Sequence, residues 1–138
     1  MALESFRVIE TGNAALADRI IAPEFINREA DDDPDEPERQ LAGPSGFMAT
    51  ARWLSAAFSD LRFEPIETLA EDERVAILAN MTGNCTGTFQ GIAPIGRRVQ
   101  QRQFHLFRLR AGKIIEHSAQ RDDLGLLLHL RGHSPADR

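Results

Sequence analysis

The sequence predicts a single α+β domain over residues 1–138, in which N-terminal helices pack on one face of a curved antiparallel sheet. Apolar residues recur at helical spacing before residue 60 and alternate at strand spacing after it. Helices followed by a run of strands are typical of the α+β class. With 138 residues and a hydrophobic fraction of 42%, the chain can bury a substantial core.

Three helices are expected in the first 60 residues. The segment SFRVIETGNAALADRI divides at Gly12 and Asn13 into two short helices, and Pro23 ends the second. In the third segment, GPSGFMATARWLSAAFSD, Ser45 is the expected N-cap. The apolar residues of that segment form one stripe at helical spacing: Phe47, Ala51, Leu54 and Phe58.

Two charged or polar stretches are expected to remain outside the packed domain. Residues 31–38, DDDPDEPE, contain six acids and two prolines, which favours an exposed, mobile loop. Residues 132–138 are expected to form a flexible tail.

The period of the apolar residues changes to two from Leu61 onward. The short strand candidates are LRFEPIETLA, RVAILANMTG and CTGTFQGI. A long strand, RRVQQRQFHLFRLR, then turns at RAGK into a returning strand, IIEHSAQR. The apolar run LGLLLHL follows as a terminal helix.

Composition excludes several classes of function. A net charge of −5 disfavours a nucleic-acid partner, which requires a basic surface. Cys85 is the single cysteine, so neither a disulfide nor a cysteine zinc site is expected. No apolar run is long enough to span a membrane and no signal peptide is recognised, so we expect a cytoplasmic protein without a membrane partner. His117, His129 and His133 have no partners at metal-ligand spacing, and we expect no metal.

The last hairpin carries the residues that could perform chemistry. A turn centred on Ala111 and Gly112 places Leu109 opposite Ile114 and His105 opposite Ser118. One face then becomes polar toward its far end, with Gln101, Gln103, His105, Glu116, Ser118, Gln120 and Asp122. The other face is the more strongly charged, with Arg102, Arg108, His117 and Arg121. We therefore expect the first face to line a pocket, although a solvated polar face has the same pattern.

The segments FQGIAPIGRRV and QRQFHLFRLRAGKIIEHSAQRDDLGLLLHL resemble the C-terminal half of SnoaL-like polyketide cyclases. These enzymes belong to the nuclear transport factor 2-like superfamily, and the resemblance extends more loosely over nearly the whole chain. It implies a conical, curved antiparallel sheet with the N-terminal helices packed on its concave side around an apolar pocket. It also implies an intramolecular aldol closure that needs no cofactor. The substrate it implies is a hydrophobic small molecule.

The resemblance also implies site residues. Asp122 matches the family's general acid/base, His105 its strand histidine, Gln103 the neighbouring glutamine and Asn27 a polar residue after the second helix. Gln101, Ser118 and Trp53 complete the expected substrate-binding set. Ser118 stands where many relatives have tryptophan, and Arg28 where they often have histidine, which leaves the substrate open.

Several roles have a structural alternative. Asp122 or Asp123 could simply cap the terminal helix, and we expect Asp123 to be the cap and Asp122 to face the pocket. His105 could be a structural histidine and Asn27 a turn residue. Glu116 is either a second pocket carboxylate or a partner for a cation on a neighbouring strand.

Other functions of the same fold give rival hypotheses. Ketosteroid isomerases and limonene-epoxide hydrolases rely on tyrosine, and this chain has none. A cofactor-free hydroxylase and a non-catalytic small-molecule or partner-binding domain remain alternatives. The resemblance also implies a homodimer formed through the outer face of the sheet, where Phe104 and Leu106 stand between Arg102 and Arg108.

Overall fold

A computed structural model describes residues 1–30, 37–89 and 91–132, and in this part of the chain four α-helices pack on a five-stranded sheet. The helices are α1 (Ala2–Thr11), α2 (Ala14–Ile20), α3 (Pro44–Ala57) and α4 (Asp123–Leu130). The strands are β1 (Ile21–Asn27), β2 (Phe58–Glu71), β3 (Arg74–Cys85), β4 (Arg98–Arg110) and β5 (Lys113–Arg121). Two short 3₁₀ helices, Arg28–Ala30 and Pro37–Gln40, follow β1.

The sheet confirms the α+β class and adds one parallel pair to it. Its strand order is β1-β5-β4-β3-β2, in which β2 to β5 are antiparallel neighbours and β1 runs parallel to β5. The expectation that Pro23 ends the second helix is wrong, because α2 ends at Ile20 and Ile21 is already extended. Pro23 lies inside β1 at the edge of the sheet, where a missing N–H is tolerated.

The helix ends follow from local chemistry. Gly12 adopts the left-handed conformation (φ 70°) that terminates α1, and the side chain of Asn13 caps α2 by accepting the N–H of Leu16 at 3.0 Å. The predicted division at these two residues is confirmed. Ser45 does not cap α3, because the helix begins one residue earlier at Pro44, with Gly43 as its N-cap.

The core lies between the helices and the inner face of the sheet. The alternation predicted along β3 and β4 is confirmed: Ile77, Ala79 and Met81 are fully buried, while Phe104 and Leu106 are exposed on the outer face. The helices contribute Phe6, Phe47 and Leu54 to the same core. The separate strand expected at residues 85–92 is wrong: β3 ends at Cys85, and beyond it Phe89 and Ile92 form an isolated bridge.

A β-bulge early in β5 changes which residues face inward. Leu109 pairs with Ile114 as predicted, but Arg108 then pairs with Glu116, which leaves Ile115 as the extra residue. Every later pair is displaced by one position, so His105 lies opposite Ala119 and not Ser118. Because side chains alternate with period two, this displacement exchanges the faces of β5. His117 and Arg121 point inward, and Ser118 and Gln120 outward.

The capping of α4 is also the reverse of the prediction. Asp122 is the N-cap, and its Oδ1 accepts the backbone N–H of Gly125 at 2.8 Å. Asp123 is the first residue of the helix, with a side chain that is 73% exposed.

Other predictions concern segments that are described in part. Residues 31–36 and 133–138 lie outside the described residues, and so does nearly all of the expected mobile loop and tail. Pro37 and Glu38 begin the second 3₁₀ helix. Among the described residues, none of the helices has the length and apolar character needed to cross a membrane.

The N-cap gives a first prediction. Replacing Asp122 by alanine should lower the free energy of unfolding by about 1 kcal/mol, because the N–H of Gly125 loses its acceptor. Replacing it by asparagine should leave stability nearly unchanged, since asparagine caps equally well. Urea denaturation of both variants measures the difference, and equal losses in the two would contradict the capping role.

Candidate active site

A cavity lies between the helices and the inner face of the sheet. It offers about 40 Å³ to the centres of water molecules, enough for a few waters. Its apolar lining comes from the helices, β2, β3, β4 and the segment before β4: Phe6, Ile9, Phe47, Leu54, Phe63, Met81, Phe89 and Phe107. Its polar lining comes mainly from β1, β4 and β5: Ser5, Asn27, Glu29, Thr50, Gln101, Gln103, His105, His117 and Arg121.

Two buried histidines form the centre of the polar lining. Nδ1 of His105 lies 2.8 Å from Nε2 of His117, and the two rings are nearly coplanar at 18°. Phe6 packs edge-on against His105 at 5.1 Å between ring centroids, and Phe107 stacks on His117 at 4.8 Å. The aromatic rings therefore keep water away from the imidazole pair.

Burial keeps both rings neutral. Loss of hydration lowers the pKa of His105 to about 3, with a further contribution from His117. Burial also lowers the pKa of His117 to about 3, and the guanidinium groups of Arg121 and Arg39 add to the effect. At neutral pH the pair therefore acts through its N–H groups and lone pairs, without a positive charge.

The tautomers follow from the partners. Nδ1 of His117 lies 3.0 Å from Oδ1 of Asn27, an oxygen that also accepts the backbone N–H of Glu29. Since this oxygen accepts, His117 carries its proton on Nδ1, and its Nε2 accepts the Nδ1–H of His105.

A neutral His105 then has a bare Nε2, which lies 2.7 Å from the side-chain amide of Gln103. The amide oxygen faces the ring in the structure, an orientation that suits a protonated ring. A neutral pair therefore requires one amide to be turned: either Gln103, which would lose its hydrogen bond to Gln101, or Asn27, which would reverse both tautomers. The orientations of these amides and the protonation of the pair are coupled.

A chain of amides leads from this pair to the protein surface. Nε2 of Gln103 donates to Oε1 of Gln101 at 2.8 Å, and Nε2 of Gln101 donates to Oδ1 of Asp123 at 3.0 Å. The glutamines are buried, and the hydrogen bonds satisfy amides that would otherwise be costly in the cavity wall.

A carboxylate held by two arginines lies beside the histidines. Oε1 of Glu29 is 3.2 Å from Nη1 of Arg121 and 3.6 Å from Nη2 of Arg39. Oε2 of Glu29 is 4.0 Å from Nε2 of His117. The guanidinium carbon of Arg39 lies 3.9 Å from the centre of the Trp53 ring, and this cation–π contact holds the guanidinium in place.

Within the described part of the chain, Glu29, His105 and His117 form a set of groups that could hold a cation. Each offers one ligand atom, and these atoms lie within 4.8 Å of one another. The expectation that His117 has no partner of metal-ligand type is therefore wrong. Arg39 and Arg121 put two positive charges on the same carboxylate, and this disfavours a divalent cation.

The predicted site residues divide into two groups. Asn27, Gln101, Gln103 and His105 all line the cavity, as expected. Three others lie outside its lining: Asp122 caps α4, Trp53 packs on Arg39, and Ser118 lies in an outer groove beside Leu106. Ser118, which was expected on the face that lines the pocket, lies on the opposite face.

The sequence left two roles open for Glu116, a second pocket carboxylate or a partner for a cation. Its Oε1 lies 3.6 Å from Nε of Arg28, so it is a partner for a cation and not a pocket carboxylate.

Sequence reasoning missed His117, Glu29 and Arg121. The bulge turns the side chains of His117 and Arg121 inward. The signal for it in the sequence is the doublet Ile114-Ile115, where two neighbouring apolar residues interrupt the alternation of apolar and polar residues. Glu29 follows β1, a strand that was not predicted, so nothing in the sequence indicated that its side chain lines the cavity.

A second cavity of about 260 Å³ adjoins the first. Phe89 and Arg121 line both cavities. The walls of this outer cavity are otherwise formed by Ile92, Asp123, Leu126 and Leu127.

The neutral histidine pair predicts a pH dependence of stability. Each ring binds a proton at about pH 6.5 when unfolded and at about pH 3 when folded, so the unfolded chain takes up more protons between these values. Stability should be constant above about pH 6.5 and fall below it, by about 1.4 kcal/mol per pH unit for each ring.

Denaturant unfolding between pH 8 and pH 5 measures this slope. A double variant, His105→Gln with His117→Gln, should have a shallower slope whatever its absolute stability. An unchanged slope in the double variant would show that the rings are not responsible.

Comparison with known proteins identifies the family. The sequence profile of the SnoaL-like polyketide cyclases matches residues 2–130. The chain is 33% identical over 121 residues to aklanonic acid methyl ester cyclase DnrD of Streptomyces peucetius, covering 86% of this chain and 82% of the relative. It is 30% identical over 129 residues to nogalonic acid methyl ester cyclase of Streptomyces nogalater, covering 92% of both.

Solved structures agree on the fold. IdmH from Streptomyces antibioticus superposes with a TM-score of 0.77 at 20% identity, covering 94% of this chain and 95% of that one. TsrD from Streptomyces laurentii gives a TM-score of 0.79 at 22% identity, covering 93% and 90%. Taken with the profile match over nearly the whole chain, the helices on a curved sheet and the enclosed cavity, these similarities show that the chain belongs to the SnoaL-like polyketide cyclase family.

Proposed function

We propose that this protein closes a ring by intramolecular aldol addition within a hydrophobic polyketide methyl ester, using acid and base groups of the protein and no cofactor. The observation that carries the proposal is the neutral, hydrogen-bonded pair of His105 and His117, set among side-chain amides at the polar end of an apolar cavity. The named activities of the relatives, which are methyl ester cyclases, support the same class of substrate.

The chemistry requires this kind of lining. Removing a proton next to a carbonyl creates an enolate, and addition of its carbon to a ketone creates an alkoxide. Both intermediates carry negative charge on oxygen, and N–H donors in a dry cavity stabilise such charge strongly. Both N–H groups of the neutral pair are donated to protein acceptors in the structure, so in our proposal the substrate oxygen displaces one of these partners and receives an N–H of the pair or of the Gln103 or Asn27 amide.

The size of the inner cavity indicates how the substrate lies. The inner cavity offers only about 40 Å³ to the centres of water molecules, which is too little for a set of fused rings. The adjoining cavity of about 260 Å³, with Ile92, Leu126 and Leu127 in its wall, offers an apolar place for those rings. In our proposal Phe89 and Arg121 move apart, and the substrate occupies both cavities.

Incubation with aklanonic acid methyl ester or nogalonic acid methyl ester tests the proposed function. An aldol closure is an isomerisation, so the product should have the mass of the substrate and a new chromatographic retention time. Binding of an ester without conversion would favour the non-catalytic small-molecule-binding function. A product heavier by one oxygen atom would indicate a hydroxylase.

The role of the pair predicts the effect of His105→Gln. Loss of one donor to the enolate should lower the rate of ring closure by about 10²-fold or more, while ester binding changes little. His129→Gln, a matched replacement on α4 outside the cavity lining, should retain the wild-type rate. Equal rates for the two variants would remove the pair from the mechanism.

We also propose that the protein is a homodimer through the outer face of the sheet. Leu69, Ala76 and Leu106 lie in one row across β2, β3 and β4, and Phe104 lies on the same face one pair further along β4. Phe104 is 49% exposed and Leu106 41%. Exposed apolar side chains grouped on one sheet face are typical of a contact between subunits.

Sedimentation tests the dimer. The wild-type protein should have twice the chain mass of 15.4 kDa, and Leu106→Glu should reduce it to a monomer because a charge is placed in the contact. Leu124→Glu is a matched control on α4, where the leucine is 67% exposed away from the sheet face. A wild-type monomer at micromolar concentration would contradict the proposal.

A further inference from the structure

We infer that Arg121 recognises the ester group of the substrate and stabilises the negative charge of its enolate, an inference that rests on the proposed ring closure. Arg121 is the last residue of β5, and its side chain is 21% exposed. It lines both the inner and the outer cavity. A group bound to this guanidinium therefore lies where the reacting end of the substrate and its rings would meet.

The guanidinium of Arg121 has N–H donors available for a ligand. Among the described residues it makes one hydrogen bond, from Nη1 to Oε1 of Glu29 at 3.2 Å. Its Nε lies 3.8 Å from Oδ1 of Asp123, which is beyond hydrogen-bond distance. Because an arginine side chain carries five N–H donors, most of them remain for the oxygen atoms of a bound molecule.

The charge of Arg121 is balanced only in part by the carboxylates it contacts. Glu29 shares its Oε1 between Arg121 and Arg39, at 3.2 and 3.6 Å. The side chain of Asp123 is 73% exposed, so solvent screens its attraction. The positive charge of Arg121 reaches the histidine pair, where it contributes to the lowered pKa of His117. A negative charge that forms in this cavity is therefore stabilised beside Arg121.

The chemistry of an ester fits this side chain. When the C–H bond next to the ester carbonyl breaks, its proton goes to a carboxylate of the protein. The electron pair of that bond forms the enolate, with the charge on the ester oxygen. The two oxygens of an ester enolate share one planar carbon, as in a carboxylate, which guanidinium groups bind through two parallel N–H···O bonds. Because the enolate accepts these bonds more strongly than the neutral ester does, Arg121 lowers the barrier to ring closure.

The rest of the closure needs no further reactant. The enolate carbon forms a bond to the ketone carbon, the ester carbonyl is restored, and the ketone oxygen becomes an alkoxide that takes the proton back. The role of Arg121 is the same for any carboxylate that moves the proton. For that step the family resemblance implies Asp122, the next residue in the chain.

Aklanonic acid and its methyl ester test this role, because the acid always carries the charge that the ester acquires only as an enolate. The wild-type protein should bind the acid about 10-fold more tightly than the ester, and titration calorimetry measures both affinities. Arg121→Gln should weaken binding of the acid by about 10²-fold and binding of the ester by less than about 10-fold. Ring closure of the ester should slow by about 10²-fold.

Arg102→Gln is the matched control on β4, where the side chain lies exposed on the outer face of the sheet and donates to Asn80. It should equal the wild type in both affinities and in the rate of ring closure. An unchanged affinity of Arg121→Gln for the acid would overturn the inference, and so would a wild-type protein that prefers the ester.

Arg121→Gln also removes a contact of Glu29, so Arg121→Lys is a second variant that keeps the charge. Because lysine lacks the planar fork of donors, acid binding should weaken and ring closure should slow by about 10-fold each. Wild-type values in this variant would overturn the inference. Acid binding that depends on Arg121 without closure of the ester would support the recognition and overturn the proposed ring closure. A wild-type protein that binds neither compound would overturn both.

Discussion

The hydrogen bond between His105 and His117 is the contact on which the rest of the site depends. Two imidazoles are buried together without charge, and each remaining nitrogen needs a partner because an unsatisfied polar group in this cavity would be costly. Asn27 supplies one partner and Gln103 the other. The bonded chain that results connects β1, β5, β4 and the start of α4, so strand pairing and site geometry constrain each other.

The bulge at Ile115 is what makes that bond possible. Without the extra residue, β5 would present Glu116 and Ser118 to the cavity, and His117 would face solvent with Phe104. One inserted residue thus replaces a carboxylate and a hydroxyl by an imidazole and a guanidinium. It also turns Arg121 toward Glu29, while the next residue, Asp122, caps α4.

The sequence was sufficient for the α+β class, the split between α1 and α2, the inner face of β4 and four members of the cavity lining. The class, the split and the inner face of β4 depend on local periodicity or on Gly12 and Asn13, whose preferences are strong and short-range, whereas Asn27 was implied only by the family resemblance. The predicted pairing of β4 with β5 beyond the bulge was wrong because register depends on both strands. A single extra residue changes the register and leaves the composition of each strand almost the same. Glu29 could not be placed because β1 owes its strand conformation to its parallel pairing with β5, some 90 residues away.

That separation also has a consequence for folding. The hairpin of β4 and β5 can form locally, but His117 meets Asn27 only when the two ends of the chain come together. Closing so long a loop costs conformational entropy that the later contacts must offset, and such contacts form slowly. The residues of the proposed site therefore come together only when β1 pairs with β5, the paired strands that lie farthest apart in the sequence. Fraying of the β1 edge would open the site while leaving most of the hydrophobic core intact.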